Sequence, residues 1–365
     1  MGGYLRKVTF TVCLFLVGLL VLALATALLS DFSKLKAVLS HLDTLPFLCA
    51  LVTSGLAYLA TTLSFRALFA MTPYRVPFPK FFSIMFISDT VNFIISSGGV
   101  SSIANRAFLL KREKVPYSVT VPLSLTQNMI FNLALSLVCL GDLGYLHSHP
   151  EWTGAPTAGV LLFFMAGLLL LVGGMMTFLF HRAFRRWSLR VALAVGRWAV
   201  RLARRRTSGG EDFARRWKLM LARLEKTVAF LRRGWTRLLV VFFWVCMNWL
   251  FMALAFYFCF RAAGLDLPPG LLMAGFTVMY LSSNINPVPA GLGVSESLVA
   301  FTFNYLGVGF EPALVAALLF RLVYYLIPLG ISAALYLDTL RSFLKIQAPE
   351  GTRAEEKAFI PEFEG

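Results

Sequence analysis

The chain has 365 residues, 58% of them hydrophobic and 14% charged, with a mean hydropathy of +0.74. Soluble domains carry about 45–50% apolar and about 25% charged residues, so repeated runs of about 20 apolar residues make this a polytopic helical membrane protein rather than a soluble domain or a β-barrel of alternating strands. Its 34 Lys and Arg against 18 Asp and Glu give a net charge of +16, and five cysteines scattered in apolar runs without a CxxC pair exclude a disulfide scaffold.

Taken in chain order, Arg6-Lys7 precede an apolar run over 8–29. That run is longer than the roughly 7–15 residues of a signal-peptide core, so it is predicted to be the first transmembrane helix. A second run covers 46–65. The stretch 81–110 is apolar but interrupted by Ser96, Ser97, Gly98 and Gly99, and it carries Asp89, Asn92 and Arg106. It is too long for one clean helix and too short for two crossings and a turn. A re-entrant hairpin is predicted, which is tolerated only where protein or a wet cavity satisfies its backbone. The runs 116–140 and 157–180 follow, and the first holds Gln127, Asn128 and Asn132 within one and a half turns.

Between residues 181 and 237 stand 17 Lys and Arg against 3 acidic residues, which predicts a cytoplasmic segment. Arg182, Arg186, Arg190, Arg197, Arg201 and Arg205 share one helical face, with Trp187, Val191, Trp198 and Leu202 on another. A second amphipathic helix carries Phe213, Trp217, Leu221, Leu224 and Val228. Such helices suit an anionic membrane surface, where they anchor the loop or gather anionic phospholipid headgroups. Nucleic acid is not expected as a partner.

A further run covers 238–260, and 270–306 is again interrupted, by Asn284, Asn286, Pro287, Pro289, Gly291 and Gly293, before a last run over 312–337. Proline cannot continue a helix, and glycine permits a tight turn and close backbone approach. This second hairpin therefore offers unpaired amides and a helix N-terminus at depth, where a phosphate would find donors.

With Arg6-Lys7 and the basic segment both inside, an even number of crossings must precede residue 181. The first hairpin then enters and returns on the cytoplasmic side. The expected fold is all-α: six full transmembrane helices plus two oppositely oriented re-entrant hairpins in an inverted repeat, with cytoplasmic basic amphipathic helices and both termini inside. One membrane domain is expected over 1–340, with halves 8–140 and 157–337, followed by a charged cytoplasmic tail over 341–365. Inverted repeats place substrate sites where broken helices meet at the midplane.

Ionisable groups at membrane depth are costly and read as functional candidates. Here they are Asp89, Arg106, Glu296 and Arg321, the last two expected to form a salt bridge, with Tyr324 and Tyr325 one turn beyond Arg321. Asp142, at the outer end of its run, is expected to be wet. There is no Gly-Lys dipeptide and hence no Walker A loop, and no HExxH or Ser-His-Asp order occurs. No cofactor, metal or enzymatic activity is expected, and transport would be downhill or ion-coupled.

At these residues the sequence resembles the lysylphosphatidylglycerol synthase transmembrane family, also called the flippase-like domain family. The resemblance is carried by Pro287-Val288-Pro289-Ala290-Gly291-Leu292-Gly293-Val294-Ser295-Glu296, then Gly307, Arg321 and Pro328-Leu329-Gly330, with Gly98-Gly99 and Arg106 as an earlier, weaker element. Ala290 stands where the family pattern has glycine, and Gln127-Asn128 stand where many relatives carry charge. The resemblance implies a bacterial or archaeal cytoplasmic-membrane protein that moves a phospholipid or other lipid-linked anionic headgroup between leaflets. The aminoacyl-transferase domain of bifunctional members is not expected in a chain of this length. The rival expectations are a small-solute secondary transporter and a membrane scaffold for a lipid-modifying or cell-envelope glycan enzyme partner.

Overall fold

The computed structural model describes residues 42–94, 100–149, 235–285, 294–305 and 307–335, with scattered positions between 166 and 187. The run at 8–29, the tail at 341–365 and residues 95–99 and 286–293, where the hairpin tips are expected, lie outside these residues. So do the run at 157–180 and the basic segment at 181–237, apart from scattered positions and the latter's last residues. All regular structure among the described residues is helical. The first group comprises α1 (Thr44–Phe69), α2 (Phe78–Ile94), α3 (Val100–Arg112) and α4 (Tyr117–Ser148). The second comprises α5 (Trp235–Ala262), α6 (Pro269–Ile285), α7 (Val294–Tyr305) and α8 (Phe310–Leu335).

Among the described residues four helices, α1, α4, α5 and α8, are long and apolar enough to cross a bilayer. At 1.5 Å per residue a span of 26 residues reaches about 39 Å, more than the roughly 30 Å hydrocarbon core. The 13 residues of α3 and 12 of α7 reach about 18–20 Å and cannot cross alone. Both groups therefore read long helix, 17-residue helix, short helix, long helix.

Local chemistry sets the boundaries. The Asp43 carboxylate caps α1 by accepting from the Leu45 N–H at 3.4 Å. Pro77, Pro116 and Pro268 precede α2, α4 and α6, where a missing N–H costs nothing because the first turn does not use it. Between α7 and α8, Gly307 and Gly309 hold φ of 81° and 92°, a region that residues with a Cβ avoid.

The long helices α1 and α5 pack along each other antiparallel. The Asp43 N–H donates to the Ala262 carbonyl at 3.0 Å at one end, and Arg237 Nη1 reaches the Ala70 carbonyl at 3.4 Å at the other. Helices α2 and α3 are antiparallel too. Lys80 near the start of α2 pairs with Glu113 just past the end of α3 at 2.8 Å, and Asp89 and Asn92 accept from Ser102 and Ser101, each at 2.8 Å. In the second group, α6 and α7 approach closely because Gly275 has no side chain. A Cβ there would collide with the buried Phe303 ring. In lipid, where no hydrophobic driving force pulls helices together, such close van der Waals approach is what holds them.

Helix α8 is interrupted by a π-turn over Leu322–Leu326, in which the Ile327 N–H reaches back to the Leu322 carbonyl. A wider turn displaces carbonyls from their usual partners. Two of them are met from α1: Ser54 Oγ donates to the Val323 carbonyl at 3.2 Å and Tyr58 Oη to the Tyr324 carbonyl at 2.9 Å.

Asp142 departs from expectation. Helix α4 continues past it to Ser148, and the carboxylate is buried, 6% exposed, where it accepts from Thr277 of α6. The end of an apolar run is a compositional boundary, and here the helix and its packing outlast the composition.

Candidate functional site

A cavity of about 140 Å³ opens among α1 to α6 and α8. Its polar lining includes Asp89 and Asn92 from α2, Arg106 from α3, Gln127 and Asn128 from α4, and Asn248 from α5, with tyrosine rings completing the wall. Asn248 falls at the middle of the 28-residue α5, so the cavity lies at mid-span of a helix long enough to cross the bilayer.

The charged centre is Arg106, 4% exposed. Its Nη2 pairs with Asp89 Oδ1 at 2.9 Å, and its Nη1 donates to Gln127 Oε1 at 2.7 Å. The guanidinium also lies over the Phe65 ring, 4.4 Å from the centroid. Gln127 is itself held, because its Nε2 donates to the Thr61 carbonyl at 3.0 Å and to Ser64 Oγ at 2.5 Å. That fixes the amide so its oxygen faces the cation. A buried cation requires such a set of acceptors to be tolerated at depth. The Arg106 Nε–H is the exception, buried without a hydrogen-bond partner among the described residues.

Asp89 is the less buried member of the pair, its side chain 19% exposed. The bonds it accepts from Arg106 and Ser102 both fall on Oδ1. Thr61 Oγ1 donates to Asn248 Oδ1 at 2.8 Å, joining α1 to α5 across the cavity floor.

Glu296 and Arg321 form the expected ion pair, with Arg321 Nε donating to Glu296 Oε1 and Nη2 to Ser295 Oγ at 2.9 Å. Both are sealed, 0% and 2% exposed, and neither lines the cavity. Tyr325 touches both regions: its ring lines the cavity and lies 4.5 Å from the Arg321 guanidinium.

Of the residues singled out in the sequence, Asp89, Asn92, Arg106, Gln127, Asn128, Tyr324 and Tyr325 converge on the cavity. Asn132 instead bonds back to the Asn128 carbonyl at 2.8 Å. Asn284 lies in the last turn of α6. Ser97, Gly98, Gly99, Asn286, Pro287, Pro289, Gly291 and Gly293 fall outside the described residues. Sequence reasoning missed Tyr58, Thr61, Asn248 and Tyr280. Asn248 alone carried a signal, as the single amide in a long apolar run.

The family model for the lysylphosphatidylglycerol synthase TM region matches residues 15–332. The chain belongs to that family. Among curated relatives it is 26% identical over 352 residues to a UPF0104 membrane protein of Methanothermobacter thermautotrophicus, covering 91% of this chain and 95% of that protein. It is also 32% identical over 90 residues to the phosphatidylglycerol lysyltransferase of Staphylococcus aureus strain MRSA252, a match over 25% of this chain and only 11% of the enzyme. Within the lysylphosphatidylglycerol synthase TM region family, then, this is a multi-pass membrane protein that matches one relative almost end to end and another over a short stretch.

Proposed function

We propose that this protein is a lipid flippase-like transporter that passes a phospholipid or other lipid-linked headgroup between leaflets through the polar cavity while the tails stay in the bilayer. The observation that carries this reading is the cavity itself: a carboxylate, a guanidinium and several amides gathered at mid-span in helices whose outer surfaces are apolar. Polar groups so placed cost free energy and persist where a polar cargo uses them. The antiparallel packing of α1 on α5, and the Lys80–Glu113 pair that brings the ends of α2 and α3 together, support the inverted repeat and a re-entrant first hairpin. On this reading the protein resides in the cytoplasmic membrane with both termini inside, and its basic segment lies on anionic lipid.

The test is reconstitution into vesicles containing tail-labelled phospholipids, followed with a membrane-impermeant quencher. The expected result is faster leaflet exchange than in protein-free vesicles. Equal rates for every lipid class tested would overturn the proposal.

A further inference from the structure

The cavity holds unfilled hydrogen-bonding capacity of two kinds. On the donor side, the Asn92 amide accepts from Ser101 through Oδ1, while its Nδ2 has no partner among the described residues. The whole Asn128 side-chain amide, donor and acceptor, is likewise unpaired among the described residues, the Asn132 side chain bonding only its backbone carbonyl. Asn248 Nδ2 finds no better acceptor than the Met252 sulfur at 3.6 Å. On the acceptor side stand Asn128 Oδ1 and the second oxygen of Asp89, since both bonds to Asp89 fall on Oδ1.

The formal charges, by contrast, are already balanced. Arg106 is neutralised by Asp89, and its terminal nitrogens are committed to Asp89, Ser102 and Gln127. Gln127 is pinned in turn by α1. A phosphate brings only acceptors: the asparagine N–H groups could meet it, but its charge would find Arg106 already paired with Asp89, and Asp89 Oδ2 and Asn128 Oδ1 would stay unmet. An ammonium brings only donors and would leave the asparagine N–H groups unmet. A hydroxyl is both donor and acceptor, so a group with several hydroxyls can satisfy both kinds of site and bring no charge into a balanced pocket. The tyrosine rings supply the flat apolar wall against which C–H faces pack.

We propose that the cavity seats the uncharged, hydroxyl-bearing part of its cargo, a glyceryl or glycosyl group, with Asp89, Asn92 and Asn128 as its ligands, and that any phosphate of the same headgroup stays outside the pocket. This rests on the flippase reading and narrows it to polyol-bearing lipids.

The experiment compares leaflet exchange of tail-labelled lipids by the full-length protein in vesicles. The four arms are a phosphoglycerol lipid, a neutral monoglycosyl lipid, phosphatidate and a phosphoethanolamine lipid. Exchange of the first two at least about tenfold faster than the last two is expected, the ratio that one well-made hydrogen bond supplies. Comparable or faster exchange of phosphatidate or the phosphoethanolamine lipid overturns the polyol assignment and leaves the flippase reading standing. No exchange in any lipid arm overturns the flippase reading, and with no uptake of free glucoside either it overturns the polyol site as well. A fifth arm measures uptake of free radiolabelled glucoside: uptake without lipid exchange keeps the polyol site and moves its cargo from lipid to solute. In the same vesicles Asn128→Leu lowers the polyol rates about tenfold, and Asn128→Gln restores them in part. Unchanged rates in Asn128→Leu count against the site.

Discussion

Arg106 and Asp89 share an ion pair of 2.9 Å in which the cation is the more deeply buried partner, its side chain 5% exposed against 19% for the carboxylate. The two halves of the pair are therefore not equivalent. Asp89→Asn leaves a guanidinium buried with neutral acceptors only. Arg106→Gln leaves a carboxylate that still reaches the cavity. Breaking a buried pair from one side costs about 3–5 kcal/mol, so Asp89→Asn is expected near the lower end of that range and Arg106→Gln below it. Thermal unfolding in detergent measures both, and the opposite order would contradict the assigned asymmetry.

The Glu296–Arg321 pair is sealed on both sides and joins α7 to α8. Glu296→Gln is expected to destabilise by about 3–5 kcal/mol, as is Arg321→Met. Because neither side chain lines the cavity, the double replacement Glu296→Leu with Arg321→Met recovers stability that the single changes lose. A double mutant less stable than either single one would mean the pair does more than hold the two helices.

Gly275 and Gly55 make a matched pair of positions. At Gly275 a Cβ meets the Phe303 ring, which is fully buried and wedged 4.7 Å from the Phe260 centroid. At Gly55, in the interior of α1, nothing lies within 4 Å. Gly275→Ala is expected to cost about 1–3 kcal/mol by overpacking, and Gly55→Ala to be neutral or to stabilise by up to about 1 kcal/mol. Similar melting shifts for the two variants would remove close approach as the role of Gly275.

Tyr58→Phe removes the hydroxyl that meets the Tyr324 carbonyl in the π-turn. The ring stacking with Tyr324, centroids 5.3 Å apart, is kept. An orphaned buried carbonyl costs about 1–3 kcal/mol, so the variant is expected to unfold earlier and to exchange amide hydrogens faster in residues 322–327. Unaltered exchange there would show that the turn does not depend on α1.

Much of the architecture was legible because composition alone reports on a membrane helix. The runs 46–65, 116–140, 238–260 and 312–337 correspond to spans at Thr44–Phe69, Tyr117–Asp142, Thr236–Ala262 and Phe310–Leu335. The two interrupted stretches divide into α2 with α3 and α6 with α7 because Gly and Pro clusters break helices whatever surrounds them. Charge at depth was equally visible, which is why Asp89, Arg106, Glu296 and Arg321 stood out. The Glu296–Arg321 pairing was anticipated, but which charges face the cavity was not visible. Spacing gave no reason to separate Arg321 from the cavity or to place Asn248 in it, since both follow from how α5 and α8 rotate against their neighbours. The π-turn has no compositional signature in Leu322-Val323-Tyr324-Tyr325-Leu326, and Tyr58 was a tyrosine in an apolar run until a carbonyl appeared opposite it.

The π-turn also absorbs length. It closes its hydrogen bond over five residues where an α-turn uses four, so one extra residue is taken up while the helix beyond keeps its direction. Deleting one residue between Leu322 and Leu326 would let regular winding run straight through with the far end of α8 facing as before, Ser332 still beside Thr90 of α2, 2.6 Å away. Winding all the residues as a regular α-helix would instead turn everything beyond by about 100° and part that contact. One amino acid of length is thus stored in the wide turn, and family members that differ by a single insertion or deletion here would share the buried ion pair and still present the same helix face to α2.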